Sequence, residues 1–290
     1  MSKKKRMKIA IVILNYNSSA DCRKCIASLQ QQQGIETEII VVDNCSRGDD
    51  HRTVEALCKE TGSTFIANSE NKGYNAGNNT GLRHAVDRGH EYALIANPDM
   101  EFPQKDYLLR LAEKMQSDEE IVVCGSDIIG ADGVHQSPMH RDGNWRSSFG
   151  WIKGILRRKQ QSEAYDFIDN YKESHYCHKV GGCCFMIKTA FLKQIGFFDE
   201  KVFLYCEEAI LSRQVEIAGK KMYYLATAQA IHRHVKSEKG DPAKRFKAWG
   251  RSRCYFIDRY SNDSWMGKQI AKFSMKTYVL IFTIYNKFRR

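Results

Sequence analysis

Over residues 1–130 the chain alternates two hydrophobic rhythms: short aliphatic runs, and longer stretches whose apolar positions recur at helical spacing. Residues 8–16 (KIAIVILNY) are almost continuously aliphatic, the pattern of a strand buried on both faces. Residues 20–33 read as a helix, 38–43 (EIIVVD) as a second strand and 53–60 as a second helix. A short third strand at 64–67, a helix at 76–88 and a fourth strand at 92–96 (YALIA) follow. Residues 108–115 read as a helix and 121–129 as a fifth strand. Strands alternating with helices imply right-handed crossovers and an α/β fold with a mainly parallel sheet flanked by helices.

In such sheets ligands sit outside the carboxyl ends of the strands. The residues there are Asn15-Tyr16-Asn17, Asp43-Asn44, the stretch 68–72 with Lys72, and Asn97-Pro98-Asp99. All are short and polar, and two aspartates end two different strands at one common edge. Asn and Asp also cap helices and make turns, which accounts for one or two such positions more easily than for four. The turn after the first strand lacks G-x-G-x-x-G, which removes a dinucleotide fingerprint. No Walker-type G-x-x-x-x-G-K-[ST] and no G-x-S-x-G elbow occurs, so P-loop ATPases and α/β-hydrolases fall away.

From residue 130 to 177 the pattern loosens into Gly, Trp, His and basic residues, as in long loops or an insertion. Regularity returns at 180–188 (VGGCCFMIK), in a helical stretch at 207–218 and in a strand at 221–226 (KMYYLA). Between Lys236 and Arg259 eight Lys and Arg face three Asp and Glu, and the last 20 residues mix large apolar side chains with Lys and Arg. This divides the chain into residues 1–235 and a basic, helical C-terminal extension at 236–290.

Composition narrows the partners. With 290 residues, 42% of them hydrophobic, the chain can bury a sizeable core, and its net charge of +11 points to anionic partners. Nucleic acid, acidic lipid headgroups and phosphorylated small molecules all qualify. No RNP-like or zinc-finger spacing occurs, so nucleic acid is not the expected partner. The apolar run after the Lys-rich start is six residues, too short for a signal peptide core, and no apolar stretch approaches the roughly 20 residues of a membrane span. Ten cysteines with no secretion signal indicate free thiols in a reducing compartment, hence a cytoplasmic expectation.

The ordered segments IAIVILNYNS (9–18), EIIVVDNCS (38–46), NKGYNAGNNTGL (71–82) and ANPDME (96–101) carry a resemblance. VGGCCFMIKTAFLKQIGFFDEKVFLYCEE (180–208) and IHRHVKS (231–237) extend it. Together they resemble glycosyltransferase family 2, of the GT-A fold, and within it the bacterial rhamnosyltransferase-like branch. The resemblance implies an inverting transfer of a sugar from a nucleotide-sugar donor (dTDP-rhamnose or a UDP-hexose) to an acceptor hydroxyl. A lipid-linked saccharide or a growing surface polysaccharide is the acceptor it suggests.

It also implies roles. Asn15, Tyr16 and Asn17 cradle the nucleotide, Asp43 with Asn44 bonds the pyrimidine, and Lys72, Gly73, Asn75 and Asn78 line the donor. The Asp-x-Asp metal motif appears as Asn97-Pro98-Asp99, leaving Asp99 as the metal carboxylate, with His232 helping and His234 a weaker rival. Glu208 aligns with the catalytic base and Glu207 is its alternative; Ile210 stands where the branch has a second acid. That departure keeps open a catalytically silent nucleotide-sugar binder.

The chemistry fits these groups. A diphosphate leaves with negative charge, which Mg²⁺ or Mn²⁺ stabilises with few protein ligands. The acceptor hydroxyl needs one carboxylate within hydrogen-bond reach, whereas a glycosidase needs two. The basic, aromatic C-terminal segment suits an anionic membrane surface, making the expected chain peripheral on the inner face of the membrane.

Overall fold

The computed structural model describes residues 7–152, 168–234 and 241–288. The Lys-rich start, the 235/236 boundary, Lys236, Ser237 and Lys239 lie outside the described residues. The first half alternates as the sequence predicts: β1 (Lys8–Asn15), α1 (Ser19–Leu29), β2 (Glu36–Asp43), α2 (Asp49–Thr61), β3 (Thr64–Ala67), α3 (Tyr74–Asp87) and β4 (Tyr92–Ala96). Next come β5 (Met100–Glu101), α4 (Tyr107–Ser117), β6 (Ile121–Gly130) and β7 (His175–Cys177). The remainder is β8 (Cys184–Lys188), α5 (Thr189–Ile195), α6 (Glu207–Ile217), β9 (Lys221–His232), α7 (Pro242–Arg259) and α8 (Trp265–Phe288).

One nine-stranded sheet runs in the order β3-β2-β1-β4-β8-β6-β9-β5, with β7 also on β9. β3, β2, β1 and β4 are parallel, as expected. Beyond β4 the sheet turns mixed. β8 inserts antiparallel between β4 and β6, and β9 is parallel to β6 but antiparallel to β5 and β7. The mainly parallel sheet of the sequence reading therefore holds for one half. The fifth predicted strand does not follow β4 in space, because the later segment 184–188 takes that place.

The continuous aliphatic runs become intelligible by parity. In β1, Ile9, Ile11 and Ile13 face one core with Ile26 of α1, Leu57 of α2 and Leu111 of α4. Ala10 and Val12 face the other with Leu82 of α3, Leu192 of α5 and Leu211 of α6. Both sides are covered, so neither parity is polar. α3 lies unusually close to the sheet: a Cβ on Gly77 would stand 2.5 Å from Leu14 and one on Gly81 2.6 Å from Val12.

A third cluster joins Val202, Ala209 and Ile210 to Phe256 and Ile257 of α7 and Ala271 of α8. Polar ties reinforce it. The Tyr255 and Tyr260 hydroxyls both donate to Asp199 Oδ2 at 2.6 Å, and Ser252 Oγ donates to the Leu204 carbonyl at 2.7 Å. Asp142 pairs with Lys179 at 2.9 Å and Arg253 at 2.6 Å. Burial alone would raise the Asp142 pKa, but the two cations hold it below the ordinary value. The helical C-terminal segment is thus packed against the elements that lead into α6.

Candidate active site

The strand ends of β1 and β2 meet side by side, with Asn15 opposite Asp43 in the register. Asn15 is buried and its Nδ2 reaches Asp43 Oδ1 at 2.9 Å, Asp50 Oδ2 at 2.9 Å and Ser46 Oγ at 3.1 Å. The Asp43 carboxylate is fully covered and accepts from His51 Nδ1 at 2.7 Å and the Ser46 amide at 3.2 Å. Burial pushes its pKa up, yet the bonds from His51, Ser46 and Asn15 outweigh burial and hold it below the ordinary carboxylate value. Asp43 therefore organises the turn at residues 46–51 rather than presenting its oxygens to solvent. Tyr16, Asn17, Cys45 and Arg47 are exposed here, Tyr16 at 39%, and the His51 ring is 38% accessible. Asn17 takes a left-handed φ of 56° and ties the two loops through Arg47 N→Oδ1 at 2.8 Å.

The second cluster of predicted residues surrounds the start of α3. Asn44 donates to Asn71 Oδ1 at 3.0 Å and accepts from Asn68 Nδ2 at 3.1 Å, fixing the loop that enters α3. Gly73 has φ 102°, and a Cβ there would sit 2.3 Å from the Phe203 carbonyl oxygen, so only glycine fits. Asn75 and Asn78 are buried on α3. Asn75 donates to the Asp199 carbonyl at 2.8 Å, and Asn78 donates to the Tyr74 carbonyl at 3.1 Å while its Oδ1 has no partner. Lys72 stands apart from these, 63% exposed and paired with Glu70 at 2.8 Å.

The metal motif and the histidines converge. The β5–β9 ladder sets Met100 opposite His232, and the Arg233 amide donates to the Asp99 carbonyl at 2.8 Å. Asp99 Oδ1 then lies 3.2 Å from His232 Nε2, and Oδ2 lies 3.3 Å from His234 Nδ1. The ligand atoms of all three residues lie within 4.8 Å of one another. Gln136 Oε1 accepts from His232 Nδ1 at 2.8 Å, so that nitrogen carries the proton and Nε2 presents a lone pair. Nε2 is buried and has no hydrogen-bond partner. A six-coordinate cation with donors at about 2.1 Å sets adjacent donors about 3 Å apart, so an orphaned Nε2 beside a carboxylate oxygen fits a divalent ion. Asn97 is not part of this set: its Oδ1 faces the Tyr74 hydroxyl at 3.0 Å.

The two glutamates open α6 after two consecutive left-handed residues, Tyr205 (φ 74°) and Cys206 (φ 68°). That tight entry places both carboxylates at a helix N-terminus, where negative charge is favoured. Glu207 Oε1 accepts from the Tyr205 amide at 2.6 Å. Burial, and then the charge of Glu208, push the Glu207 pKa up to about 7. Glu208 lies against Gly182, where a Cβ would come within 2.6 Å of its Oε1. Tyr74, Gly182, both glutamates and Gln214 line one cavity walled by Val180, Phe185 and Met222. The Tyr74 hydroxyl stands 2.8 Å from the Gly182 carbonyl and 3.0 Å from Asn97 Oδ1, bridging the acid pair to the turn that carries Asp99.

Sequence reasoning missed Ser46, Asp50, His51, Tyr74, Gln136 and Gly182. Tyr74 and Gly182 lie inside the motif segments, whereas Gln136 sits in the aperiodic stretch after β6 and carries no local signal.

Comparison with known proteins agrees with this architecture. The sequence model described as glycosyl transferase family 2 matches residues 10–196. The low-salt glycan biosynthesis hexosyltransferase Agl10 of Haloferax volcanii is 27% identical over 203 residues, covering 69% of this chain and 59% of that protein. The chain thus spans well under two thirds of that relative. An N-acetylglucosaminyl-diphospho-decaprenol L-rhamnosyltransferase of Mycobacterium tuberculosis is 23% identical over 266 residues, covering 87% of this chain and 85% of its own. Among solved structures, the mannosyltransferase PcManGT from Pyrobaculum calidifontis, in complex with GDP-Man and Mn²⁺, superposes with a TM-score of 0.61. It is 14% identical and covers 95% of this chain and 70% of its own. GalNAc-T7 with UDP, GalNAc and Mn²⁺ gives a TM-score of 0.63 at 14% identity, covering 94% of this chain and 55% of its own.

Proposed function

The chain belongs to glycosyl transferase family 2 and has the GT-A fold, and on that premise we propose that it is a metal-dependent, inverting transferase acting on a nucleotide-sugar donor and an acceptor hydroxyl. The observation that carries this reading is the orphaned, buried His232 Nε2 held 3.2 Å from Asp99 Oδ1, while Tyr74, bonded to Asn97 of the same turn, lines one cavity with the half-buried Glu207 and Glu208. A silent binder has no need of a paired acid whose pKa stands near neutrality.

Asp99 and His232 would hold a divalent cation, Mg²⁺ or Mn²⁺, with His234 at its exposed side. When bound it supplies charge stabilisation to the departing diphosphate. Tyr16 and the His51 edge flank the nucleotide, and Asp43 serves it by holding the turn at residues 46–51. Lys72 meets the donor after exchanging Glu70 for phosphate. Glu208, seated in the space left by Gly182, takes the acceptor proton as the hydroxyl oxygen attacks the anomeric carbon and the bond to the diphosphate breaks. Glu207 sits beside it in the same cavity, its pKa raised to about 7 by burial and by the Glu208 charge. One base and no acid partner suits direct displacement with inversion.

The relatives named above include a hexosyltransferase and a rhamnosyltransferase of a diphospho-decaprenol substrate. They support a hexose or deoxyhexose donor, dTDP-rhamnose or a UDP-hexose, and a lipid-linked saccharide or growing polysaccharide acceptor, met at the cytoplasmic face of a membrane. A thermal-shift screen against UDP-, dTDP- and GDP-sugars with and without Mn²⁺ tests the reading. A ligand at a hundredfold excess over Kd stabilises the native state by about 2.7 kcal/mol. A cation-dependent shift lost in Asp99→Ala is expected; no shift with any nucleotide, in folded protein, overturns it.

A further inference from the structure

The C-terminal helix α8 has 24 residues, four of them lysines (Lys268, Lys272, Lys276, Lys287), and no aspartate or glutamate. One side is fixed to the protein. Gly267, Ala271, Ser274 and Met275 are buried, Ser274 Oγ bonds the Ser148 carbonyl at 2.8 Å, and Phe282 stacks on Phe246 of α7 at 4.1 Å. The opposite side is apolar and bare. Met266, Phe273, Leu280 and Ile284 recur at one helical azimuth and are 66%, 70%, 59% and 48% exposed. Phe288 prolongs the stripe at 87% exposure, and Trp265 stands at its start at 76%.

The lysines lie along one flank of the stripe. Lys272 pairs with Asp258 at 2.6 Å and Lys268 bonds the Asp258 carbonyl at 2.9 Å, while Lys276 and Lys287 are exposed beside the stripe. A row of large apolar side chains on a helix surface marks an interaction site. No helix among the described residues is long and apolar enough to cross a membrane. A second copy of the chain would meet this face with four more lysines and no acid on the same helix. Aromatic and aliphatic side chains on one face, lysines at the edge and no acidic residue form the signature of a helix lying in a lipid interface.

We propose that α8 docks flat on an anionic bilayer, with Phe273, Leu280 and Ile284 entering the acyl boundary and Lys276 and Lys287 meeting the headgroups. This deepens the membrane reading above and rests on it only for the choice of partner. The contact also has a route to the chemistry. α8 packs on α7, and α7 holds Asp199 and Leu204 ahead of the glutamates of α6, so docking fixes the acid pair relative to the membrane plane.

The test uses the full chain with vesicles of phosphatidylcholine alone or with about one third phosphatidylglycerol, without donor or acceptor. Binding to the anionic vesicles only, released at about 0.5 M salt, is expected. Phe273→Ser combined with Leu280→Ser should weaken it at least roughly tenfold, and Lys276→Glu with Lys287→Glu should abolish the preference for anionic lipid. Transfer to a water-soluble acceptor is measured separately and should be unchanged in both variants, which distinguishes this surface from the transferase reading. Absence of vesicle binding by wild-type chain that still transfers sugar overturns the surface alone. Equal binding by wild type and the Phe273/Leu280 variant overturns it as well, as does a concentration-dependent dimer that the same variant disrupts.

Discussion

Gln136 accepts a hydrogen bond from His232 Nδ1 at 2.8 Å, and the other ring nitrogen of the same histidine faces Asp99 at 3.2 Å. The amide thereby decides which nitrogen has a lone pair for a cation. Partners of this kind typically tune metal affinity by about 10- to 100-fold. Gln136→Ala should weaken Mn²⁺ binding by about tenfold in a calorimetric titration, whereas Asp99→Ala should abolish it. Unchanged Mn²⁺ affinity in Gln136→Ala would show that the ring needs no such guide.

The glutamate pair gives a pH dependence with a definite sign. Burial and the Glu208 charge raise the Glu207 pKa to about 7, above the ordinary 4.5 of the unfolded chain. A carboxyl raised in this way contributes most at acid pH, below about 4.5, and that contribution is lost as pH climbs through 7. Glu207→Gln should therefore melt higher than wild type at pH 8 and converge with it near pH 5. An acid limb near pH 7 in kcat/KM should belong to the pair and move in the same variant. Glu208→Gln should lower turnover about 10²- to 10⁴-fold with donor binding retained. A Glu208→Gln enzyme with near-normal kcat would remove Glu208 from the base role.

Gly182 sets the seat of Glu208. The Cβ of Gly182→Ala would meet Glu208 Oε1 at 2.6 Å and its Cγ and Cδ at 3.0 Å. A flexible side chain can yield at little cost in stability, but a base moved by about 1 Å can lose about 10²-fold in rate. The expected variant is folded, binds donor normally and has a reduced kcat; an unaltered kcat would place the proton acceptor elsewhere.

At the opposite edge of the sheet Glu38 gathers His90 at 2.7 Å, His84 at 3.4 Å and Lys8 at 3.5 Å. Burial pushes its pKa upward, yet the two histidines and Lys8 bring it down to about 2. A depressed carboxylate contributes above about pH 4.5, and the contribution disappears as pH falls toward 2. Glu38→Gln should cost on the order of 2 kcal/mol near neutrality, shrinking through that acid window in urea melts. A constant difference across pH would contradict the assignment.

Tyr255 and Tyr260 share one acceptor oxygen of Asp199. Replacing both with phenylalanine should lower stability by about 1–3 kcal/mol and leave a half-buried carboxylate under-bonded. Coincident loss of structure in the sheet and in α7 during denaturation, followed by two probes, is expected because the third core cluster joins α7 to α6, and α6 packs on the sheet through Leu211 and Val215.

Much of this was readable in advance. β3 and β4 fall at the predicted residues, since aliphatic runs bounded by polar turns admit little else. Asp99 and His232 come together because each lies at or just past a strand end, whereas the two glutamates reach the neighbouring cavity through the loop between α5 and α6. The extent of β9 was not predicted: the sheet carries it six residues past 226, to His232, through a short alternation of Thr227, Ala228, Gln229 and Ala230 whose apolar members are only alanines. The antiparallel insertion of β8 was equally hidden, being a matter of which edge a late strand finds. Gln136 and His51 act through partners distant in sequence or in a turn, and no spacing rule announces them.

The ladder between β5 and β9 has a temporal consequence. Asp99 is made early and His232 late, and only two residue pairs of that ladder bring them together. A chain emerging from the ribosome can pair β3, β2, β1 and β4 long before the segment carrying His232 exists. The proposed cation site would therefore form late, when Ile231 and His232 close the edge of the sheet, and a nascent copy, or one clipped before His232, would bear the fold's first half without it.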